Sequence, residues 1–522
     1  MGKVRILDCT LRDGGYINNW QFGEEATRFI IRKLVQSNID FIEVGFIKGT
    51  EFDKDRTVFP DIRTISEAIQ PKSEHTKYVG MVDMSAPVSM DALPPRKDGD
   101  IDAIRVIFKQ DRIEQGYEYA EELKKRGYLV MIQLVSTDTY SDIELIEVVR
   151  KFNAIKPFAV YLVDSLGCIK KNDFLRMVHI MDHNLNPGVI LGYHAHNNLQ
   201  QAMGNAQAMV ELGMDRDLII DASVYGMGRG AGNLNEELFA SYLNECFDRN
   251  YLIEPMLEII DEYLEKIHRE SFWGYSMPFY LSASNRVHPN YAKYYAEKST
   301  LTEKTFNELL KTIKEEDTHV FSKKVAEDYY VKFMEHYVDD KAAVKELGEK
   351  IAGRCALVVA PGKNHIKQGA KVAEYIREKD PFIISVGFVP DDIEPDYVFC
   401  NNLRKYEKIK RKKLPLILTS NVDTETDRGL IFNYTSYLSK CPSITDNAGY
   451  MAIRILFECG AKSIALAGMD GTSDWMLKNV YPDVYDSNIP LADMINDSMR
   501  KEISDFGRHV EITFLTDSVY KE

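Results

Sequence analysis

Between residues 3 and 226, eight short apolar runs rich in Val, Ile and Phe alternate with longer stretches of helical periodicity. The runs are residues 4–7, 41–46, 78–82, 103–108, 129–135, 158–163, 189–196 and 218–225. Most are continuously apolar, which is typical of parallel strands covered on both faces. Eight β/α units in this length predict a (β/α)8 TIM barrel, with a doubly wound open sheet as the alternative.

Polar side chains collect where these runs end. In a (β/α)8 barrel, the active site is built from the carboxyl ends of the strands and the loops that follow them. The first run leads into Arg12 and Asp13, the second carries Glu43, and the seventh carries His194 and His196. Because all five fall at the same end of the predicted barrel, the sequence predicts an enzyme.

The two histidines of the seventh run suggest a metal site. Side chains alternate along a strand, so His194 and His196 share one face and lie about 7 Å apart. Two imidazoles and a carboxylate can hold one divalent ion, and both Asp13 and Asn233 can reach the same point above the barrel. The alternatives are hydrogen-bonded core histidines, a turn-forming Asp13 and an Asn233 that caps the following helix.

A metal site of this composition suits a substrate that chelates through adjacent oxygens, such as a 2-oxo acid. Arg12 is always cationic, so it would stabilise an enolate oxygen while a carbon–carbon bond forms or breaks. Glu43 on the neighbouring strand would orient Arg12 through a charge-assisted hydrogen bond. The alternative for Arg12 is a salt bridge at the barrel mouth.

Three motifs carry a resemblance to a known family. They are residues 8–15 (DCTLRDGG), 194–198 (HAHNN) and 226–233 (GMGRGAGN). These motifs resemble the signatures of the DRE-TIM metallolyases, and most of all those of the 4-hydroxy-2-oxovalerate aldolases. Aldolases of that branch cleave or form pyruvate-derived aldols with Mn²⁺ or Mg²⁺. The resemblance covers roughly residues 3–290.

The resemblance implies a divalent-metal aldolase that forms or cleaves a 4-hydroxy-2-oxo acid through an enolate. It implies Mn²⁺ or Mg²⁺ as cofactor and a small 2-oxo acid and an aldehyde as substrates. We also expect a homo-oligomer and a partner enzyme that processes the aldehyde. The implied residues are Asp13, His194, His196 and Asn233 as metal ligands, and Arg12 and Glu43 as catalytic groups.

The chain departs from the aldolases at one position. Those enzymes carry a histidine four residues after the arginine, which acts as acid and base on the substrate hydroxyl, whereas this chain has Tyr16. Tyrosine is the less ready base near neutral pH. Tyr16 is the predicted acid/base, with Tyr275 and His288 as alternatives. The glycine-rich loop also lacks the cysteine of the hydroxymethylglutaryl-CoA lyase branch, which counts against that reaction.

A second α/β pattern begins near residue 352, after a helical region. Its strand candidates are residues 356–360, 382–386, 397–400, 416–418, 429–433, 463–468 and 510–515. The predicted domains are a barrel (1–290), a helical extension (291–351) and a smaller Rossmann-like domain (352–522). The last resembles the Rossmann-like fold of motility-associated and sialyltransferase-like proteins.

A turn formed by Gly362, Lys363 and Asn364 opens a helix in this second pattern. Backbone N–H groups at such a turn can cradle a phosphate or nucleotide, although the turn lacks the Walker and G-x-G-x-x-G patterns. The alternative is a structural or oligomerisation role for the whole domain.

Composition narrows the function classes. A net charge of −15 and a pI near 5.4 argue against nucleic acid or a membrane surface as a partner. The basic run at residues 405–413 is interpreted as a solvated helix face. Seven scattered cysteines with no C-x-x-C pair, no leader and no long apolar run predict a cytoplasmic protein.

Two other functions remain open at this point. One is a Claisen-type condensing acyltransferase that uses an acyl-CoA. The other is a catalytically altered barrel joined to a domain that binds a nucleotide or phosphate, a hypothesis motivated by Tyr16.

Overall fold

The structure, a computed structural model, describes residues 2–422, 428–472 and 491–521. The chain divides into two compact units, Met1–Ala292 and Lys293–Glu522. Among the helices of these described residues, none combines the length and the hydropathy needed to cross a bilayer.

The first unit is a closed, eight-stranded parallel barrel. Its strands are β1 Val4–Asp8, β2 Phe41–Ile47, β3 Val58–Phe59, β4 Lys77–Asp83, β5 Ala103–Phe108, β6 Leu129–Leu134, β7 Ala159–Asp164, β8 Ile190–Ala195 and β9 Leu218–Ala222. The order β1-β9-β8-β7-β6-β5-β4-β2 closes through pairing of β1 with β2, while β3 lies beside β2 outside the ring. The predicted barrel is confirmed, and the open-sheet alternative is wrong.

Helices cover the outside of this barrel. They are α1 Glu24–Gln36, α2 Ile62–Ala68, α3 Ile113–Lys125, α4 Asp142–Asn153, α5 Lys171–Asn184, α6 Ala202–Glu211 and α7 Glu236–Phe247. The connection from β4 to β5 contains only a short 3₁₀ turn, Met90–Ala92. Prolines at 87, 94 and 95 flank this turn, and proline removes the backbone donor that a longer helix would need.

The barrel interior changes from apolar to polar along the strands. Phe41, Ala103 and Ile219 belong to a buried apolar layer inside the barrel. Two residues further along the same three strands, and therefore on the same face, stand Glu43, Arg105 and Asp221, each at most 2% exposed. A charged layer thus lies under the carboxyl end of the barrel, directly on top of apolar packing.

Short helices follow the barrel. They are α8 Glu254–Ile259, α9 Glu265–Glu270, α10 Met277–Ser284 and α11 Pro289–Lys298. A π-helical turn, Ile260–Leu264, separates α8 from α9. The boundary between the two compact units falls inside α11.

The second unit is an open, fully parallel sheet of seven strands. The strands are β10 Ala356–Val359, β11 Phe382–Val386, β12 Tyr397–Cys400, β13 Leu416–Thr419, β14 Gly429–Phe432, β15 Ser463–Ala467 and β16 Glu511–Phe514, in the order β14-β13-β12-β11-β10-β15-β16. The chain adds strands outward from β10 to β14, then returns across β10 to place β15 on its other side. This doubly wound order confirms the predicted Rossmann-like fold.

Helices precede and cover this sheet. They are α12 Glu303–Leu310, α13 Glu315–Thr318, α14 Lys323–Met334, α15 Lys341–Ile351, α16 Asn364–Lys367, α17 Gly369–Lys379, α18 Leu403–Ile409, α19 Ala448–Glu458 and α20 Leu491–Gly507.

Candidate active site at the carboxyl end of the barrel

Asp13, His194 and His196 form a buried group that can hold a metal ion. Their ligand atoms all lie within 4.8 Å of one another. Asp13 Oδ1 lies 3.8 Å from His194 Nε2, and Asp13 Oδ2 lies 4.0 Å from His196 Nδ1. The three side chains are at most 6% exposed. Such spacing lets a single ion contact all three residues.

Local structure explains why these residues meet. The Asp13 N–H donates to Cys9 O at 2.8 Å, which folds the segment after β1 back over the barrel. His194 is part of β8, and His196 follows it in an antiparallel bridge with Asn233. Gly232 makes that bridge possible, because its φ is +82° and an added Cβ would lie 2.2 Å from Gly226 O.

The electrostatics of the group fit a divalent cation. Burial lowers the pKa of His196 to about 3, so the imidazole is neutral and its lone pair is available near pH 7. Burial opposes ionisation of Asp13, but Arg12 and the two histidines outweigh it and hold its pKa well below the usual range. A neutral imidazole and an ionised carboxylate are the ligand states that metals require.

Two buried polar atoms without hydrogen-bond partners also suit a metal ion at this group. Within the described part of the chain, His196 Nδ1 and Asn233 Oδ1 are buried and have no hydrogen-bond partner. The Asn233 amide is held in place, since its Nδ2 donates to Asp13 Oδ2 at 2.9 Å. Asn235, not Asn233, occupies the N-cap position of α7, so the capping alternative is wrong. Asn233 Oδ1 is thus available as a fourth ligand.

Arg12 is fixed beside this group. Its Nε donates to Glu43 Oε2 at 2.7 Å, and its Nη1 donates to Asp13 Oδ1 at 2.6 Å. The predicted pairing of Arg12 with Glu43 is therefore present in the structure. Arg12 Nη2 is buried and has no partner among the described residues. A buried donor without a partner is costly, so Nη2 has the capacity to donate one further hydrogen bond to a ligand.

Two further residues, Arg105 and Asp221, were not singled out from the sequence. Arg105 donates from Nη1 to Glu43 Oε2 at 3.0 Å and from Nη2 to Asp221 Oδ2 at 2.5 Å. Asp221 Oδ2 also accepts from His194 Nδ1 at 2.9 Å. The charged layer under the mouth therefore links Arg12 to His194. Arg105 and Asp221 could have been identified from the sequence, because each is a charged residue inside an otherwise apolar strand.

Tyr16 lies at the barrel mouth and is 37% exposed. The Arg229 guanidinium lies over its ring, 5.4 Å from the centroid. Burial raises the pKa of Tyr16, and nearby Arg229 and Arg12 oppose the rise only in part, so the phenol stays protonated near neutral pH. His288 Nε2 lies 3.4 Å from Arg229 Nη1, whereas Tyr275 is 53% exposed.

In the second unit, Gly362, Lys363 and Asn364 line a cavity, but two of their backbone donors are engaged. The Gly362 N–H donates to Gly468 O, and the Asn364 N–H donates to Asp470 Oδ2, both at 2.9 Å. The helix that follows has only four residues. The Lys363 side chain also lines this cavity.

The buried Asp-His-His group lies at the carboxyl end of the strands of this (β/α)8 barrel. The predicted resemblance is confirmed, because residues 104–250 match the HMGL-like family model. The relatives found by sequence are lyases and aldolases, and their matches cover about half of this chain.

Two relatives and one solved structure illustrate the similarity. A 4-hydroxy-2-oxovalerate aldolase of Geobacillus genomosp. 3 is 29% identical over 275 residues, which are 49% of this chain and 78% of that protein. An oxaloacetate decarboxylase of Mycobacterium tuberculosis is 27% identical over 240 residues, 46% of this chain and 69% of that protein. The N-terminal domain of a Bacteroides vulgatus protein described as an aldolase is 25% identical, with a TM-score of 0.49, and covers 59% of this chain and 100% of its own.

Proposed function

We propose that the barrel is a divalent-metal-dependent carbon–carbon lyase that forms or cleaves a pyruvate-derived 4-hydroxy-2-oxo acid. The observation that carries the proposal is the unpartnered Arg12 Nη2 beside the buried group of Asp13, His194 and His196. The aldolase among the relatives adds support. Mn²⁺ or Mg²⁺ is the proposed cofactor, because the carboxylate and amide oxygens of Asp13 and Asn233 suit such ions.

The chemistry follows from where charge develops. When bound, the cation supplies a Lewis acid that polarises the 2-oxo group of the substrate. As the bond between C3 and C4 breaks, its electron pair moves toward the 2-oxo oxygen and leaves an enolate. Arg12 Nη2 donates to that oxygen, and Glu43 and Asp13 hold the guanidinium so that little reorganisation is needed.

Tyr16 is the proposed acid/base at the substrate hydroxyl. In cleavage, the C4 hydroxyl loses its proton as the aldehyde forms, and C3 of the enolate gains one. Because the Arg229 guanidinium lies over the Tyr16 ring, a transient phenolate at Tyr16 would be stabilised by that cation. In the direction of condensation, the protonated phenol can donate to the new alkoxide.

Decarboxylation of a 3-carboxylated 2-oxo acid is the second candidate. A decarboxylase is among the relatives, and Tyr16 stands where the aldolases carry a histidine. Loss of CO₂ from such a substrate gives the same pyruvate enolate but removes no hydroxyl proton. A barrel with a weak base would therefore retain this reaction more readily than aldol cleavage.

Product analysis separates the two candidates. The full-length protein would be loaded with Mn²⁺ and given pyruvate with a panel of aldehydes, or oxaloacetate alone. The aldolase proposal expects a 4-hydroxy-2-oxo acid from at least one aldehyde. Pyruvate from oxaloacetate with no aldol product would support the decarboxylase instead. Thiol release from acetyl-CoA with a 2-oxo acid, and neither other product, would overturn both in favour of acyl transfer.

A further inference from the structure

A large cavity opens at the carboxyl edge of the parallel sheet in the second unit. Its volume is about 750 Å³, and its walls include the segments that follow β10 and β15. These two strands are neighbours, and the chain winds outward from them in opposite directions. In open α/β sheets, such a switch point leaves a crevice where ligands bind. The cavity is thus where this fold places a small molecule.

The cavity wall is rich in ammonium groups. Five lysines line it, against three carboxylates, in a chain whose net charge is −15. The five are Lys298, Lys323, Lys363, Lys367 and Lys405. Three of them, Lys363, Lys367 and Lys405, have no carboxylate within 4.0 Å among the described residues. This excess of positive charge favours an anion with more than one negative charge.

Two of the three carboxylates are already engaged within the second unit. Asp470 accepts from the Asn364 N–H at 2.9 Å, and Asp446 accepts from the Tyr330 hydroxyl at 2.6 Å. Lys298 forms ion pairs with Glu327 at 3.0 Å and with Asp446 at 3.8 Å. Three carboxylates against five lysines leave the wall with an excess of positive charge.

Lys405 is directed at the carboxyl edge of the sheet. It belongs to the basic run at residues 405–413, but its Nζ lies over Gly387, just after β11, where an added Cβ would be 3.1 Å away. The run was interpreted as a solvated helix face, and Lys405 is exposed as expected, but it also lines the cavity.

The first turn of α19 adds donors to the same wall. Ala448 and Gly449 line the cavity, and their N–H groups bond to no carbonyl among the described residues. Asn447 caps the helix by accepting from the Tyr450 N–H, so the start of this 11-residue helix is well ordered. First-turn N–H groups and the helix dipole favour a bound phosphate.

The cavity also has an apolar part. Ile444, Met469, Ile495 and Tyr520 line it together with the lysines. A phosphate alone would fill little of about 750 Å³, whereas pockets of this volume enclose ligands with both an apolar body and a few charged groups. A nucleoside joined to phosphate has that combination.

We propose that this cavity binds a nucleoside phosphate, with the phosphate groups facing Lys363, Lys367 and Lys405 and the base against the apolar wall. The site lies wholly in the second unit and is independent of the barrel chemistry. Its recognition elements are side chains and the start of α19, not a glycine-rich backbone loop.

Calorimetric titration of the full-length protein tests the proposal. The probes are a panel of nucleoside diphosphates and, separately, inorganic pyrophosphate. At least one nucleoside diphosphate should bind, more tightly than pyrophosphate, with an affinity that falls as salt rises. The His194→Ala variant should bind it equally well. If no nucleoside diphosphate binds, or if pyrophosphate binds as tightly, the proposal is overturned.

A matched pair of variants locates the binding. Lys405 and Lys412 belong to the same basic run, but only Lys405 lines the cavity, while Lys412 is exposed elsewhere. Lys405→Gln should weaken nucleotide binding about tenfold, since it removes one charge-assisted contact, and Lys412→Gln should leave the affinity unchanged. Equal affinities in the two variants would contradict the assignment.

Discussion

Asp221 Oδ2 lies 2.9 Å from His194 Nδ1, and the same oxygen accepts a hydrogen bond from Arg105 Nη2. An ionised carboxylate can only accept, so His194 carries its proton on Nδ1. The lone pair is then on Nε2, the nitrogen that faces Asp13. A residue that touches neither metal nor substrate therefore selects the imidazole tautomer that can bind a metal.

Replacing Asp221 tests this positioning role. Asp221→Asn should weaken Mn²⁺ binding by about 10- to 100-fold, because the amide no longer fixes the tautomer or balances Arg105. Calorimetry gives the affinity, and circular dichroism checks that the variant is folded. Asp98→Asn, an exposed position, is the control and should bind as the parent does. Equal affinities in both variants would show that Asp221 is only structural.

Arg12→Lys separates catalysis from metal binding. Lysine keeps the positive charge but lacks the planar guanidinium group. In Arg12 that group donates to both Glu43 and Asp13 and still has Nη2 free. The rate of carbon–carbon bond cleavage should fall by about 10²- to 10³-fold, with a far smaller change in Mn²⁺ affinity. Steady-state kinetics and metal titration measure the two effects. A parallel loss of both would mean that Arg12 acts mainly by holding Asp13.

Tyr16→Phe distinguishes the two proposed reactions. Removal of the hydroxyl should lower aldol cleavage by about 10²-fold or more, because the acid/base is lost. Decarboxylation of oxaloacetate needs no such group and should change by much less. The ratio of the two rates is the quantity to follow. An unchanged ratio would move the acid/base role to another group, with His288 next in line.

Asp8 and Glu236 make the stability of the barrel depend on pH. Burial raises the pKa of Asp8 to about 6, and burial beside Asp8 raises the pKa of Glu236 well above its usual value. For carboxyls with raised pKa values, the folded state retains protons that the unfolded state releases. Their contribution to stability is therefore present at low pH and is lost as pH rises from about 4 through 6 and beyond.

Glu236→Gln should remove much of this loss. The variant should match the parent near pH 4 and exceed it at pH 8 by roughly 1 to 3 kcal/mol in the free energy of unfolding. Denaturant titrations at the two pH values measure the difference. Glu245→Gln, exposed on the same helix, should show no such gain. A variant that is less stable than the parent at pH 8 would contradict the pKa assignment.

Much of the fold could be predicted from the sequence. The apolar runs that predict strands match all eight barrel strands and all seven strands of the second sheet. Buried parallel strands are continuously apolar, and this gives them a strong local sequence signal. The β4–β5 connection differed, since prolines around Met90–Ala92 oppose a helix. The proximity of His194 and His196 was also predictable, because the two residues lie two positions apart at the end of one strand.

The charged layer beneath the site was not predictable in the same way. Arg105 and Asp221 are 116 residues apart and meet only because the barrel closes. Which residues pair in this layer depends on the register between neighbouring strands, because the register sets the height of each side chain inside the barrel. No local sequence pattern encodes that register. The cavity of the second unit was predictable in part: the turn at Lys363 was singled out from the sequence, whereas Lys405 joins it only through the strand order of the second sheet.

Exchange of the methyl protons of pyruvate with deuterium, followed by NMR, tests the central claim most directly. It requires only enolate formation at the site of Asp13, His194 and His196, without knowledge of the aldehyde. With Mg²⁺, whose ions leave the NMR signal sharp, the parent should exchange pyruvate protons, and His194→Ala should lose both the exchange and metal binding. His179→Ala, an exposed histidine, should behave as the parent. Exchange that persists undiminished in His194→Ala would contradict metal-dependent enolate chemistry in this barrel.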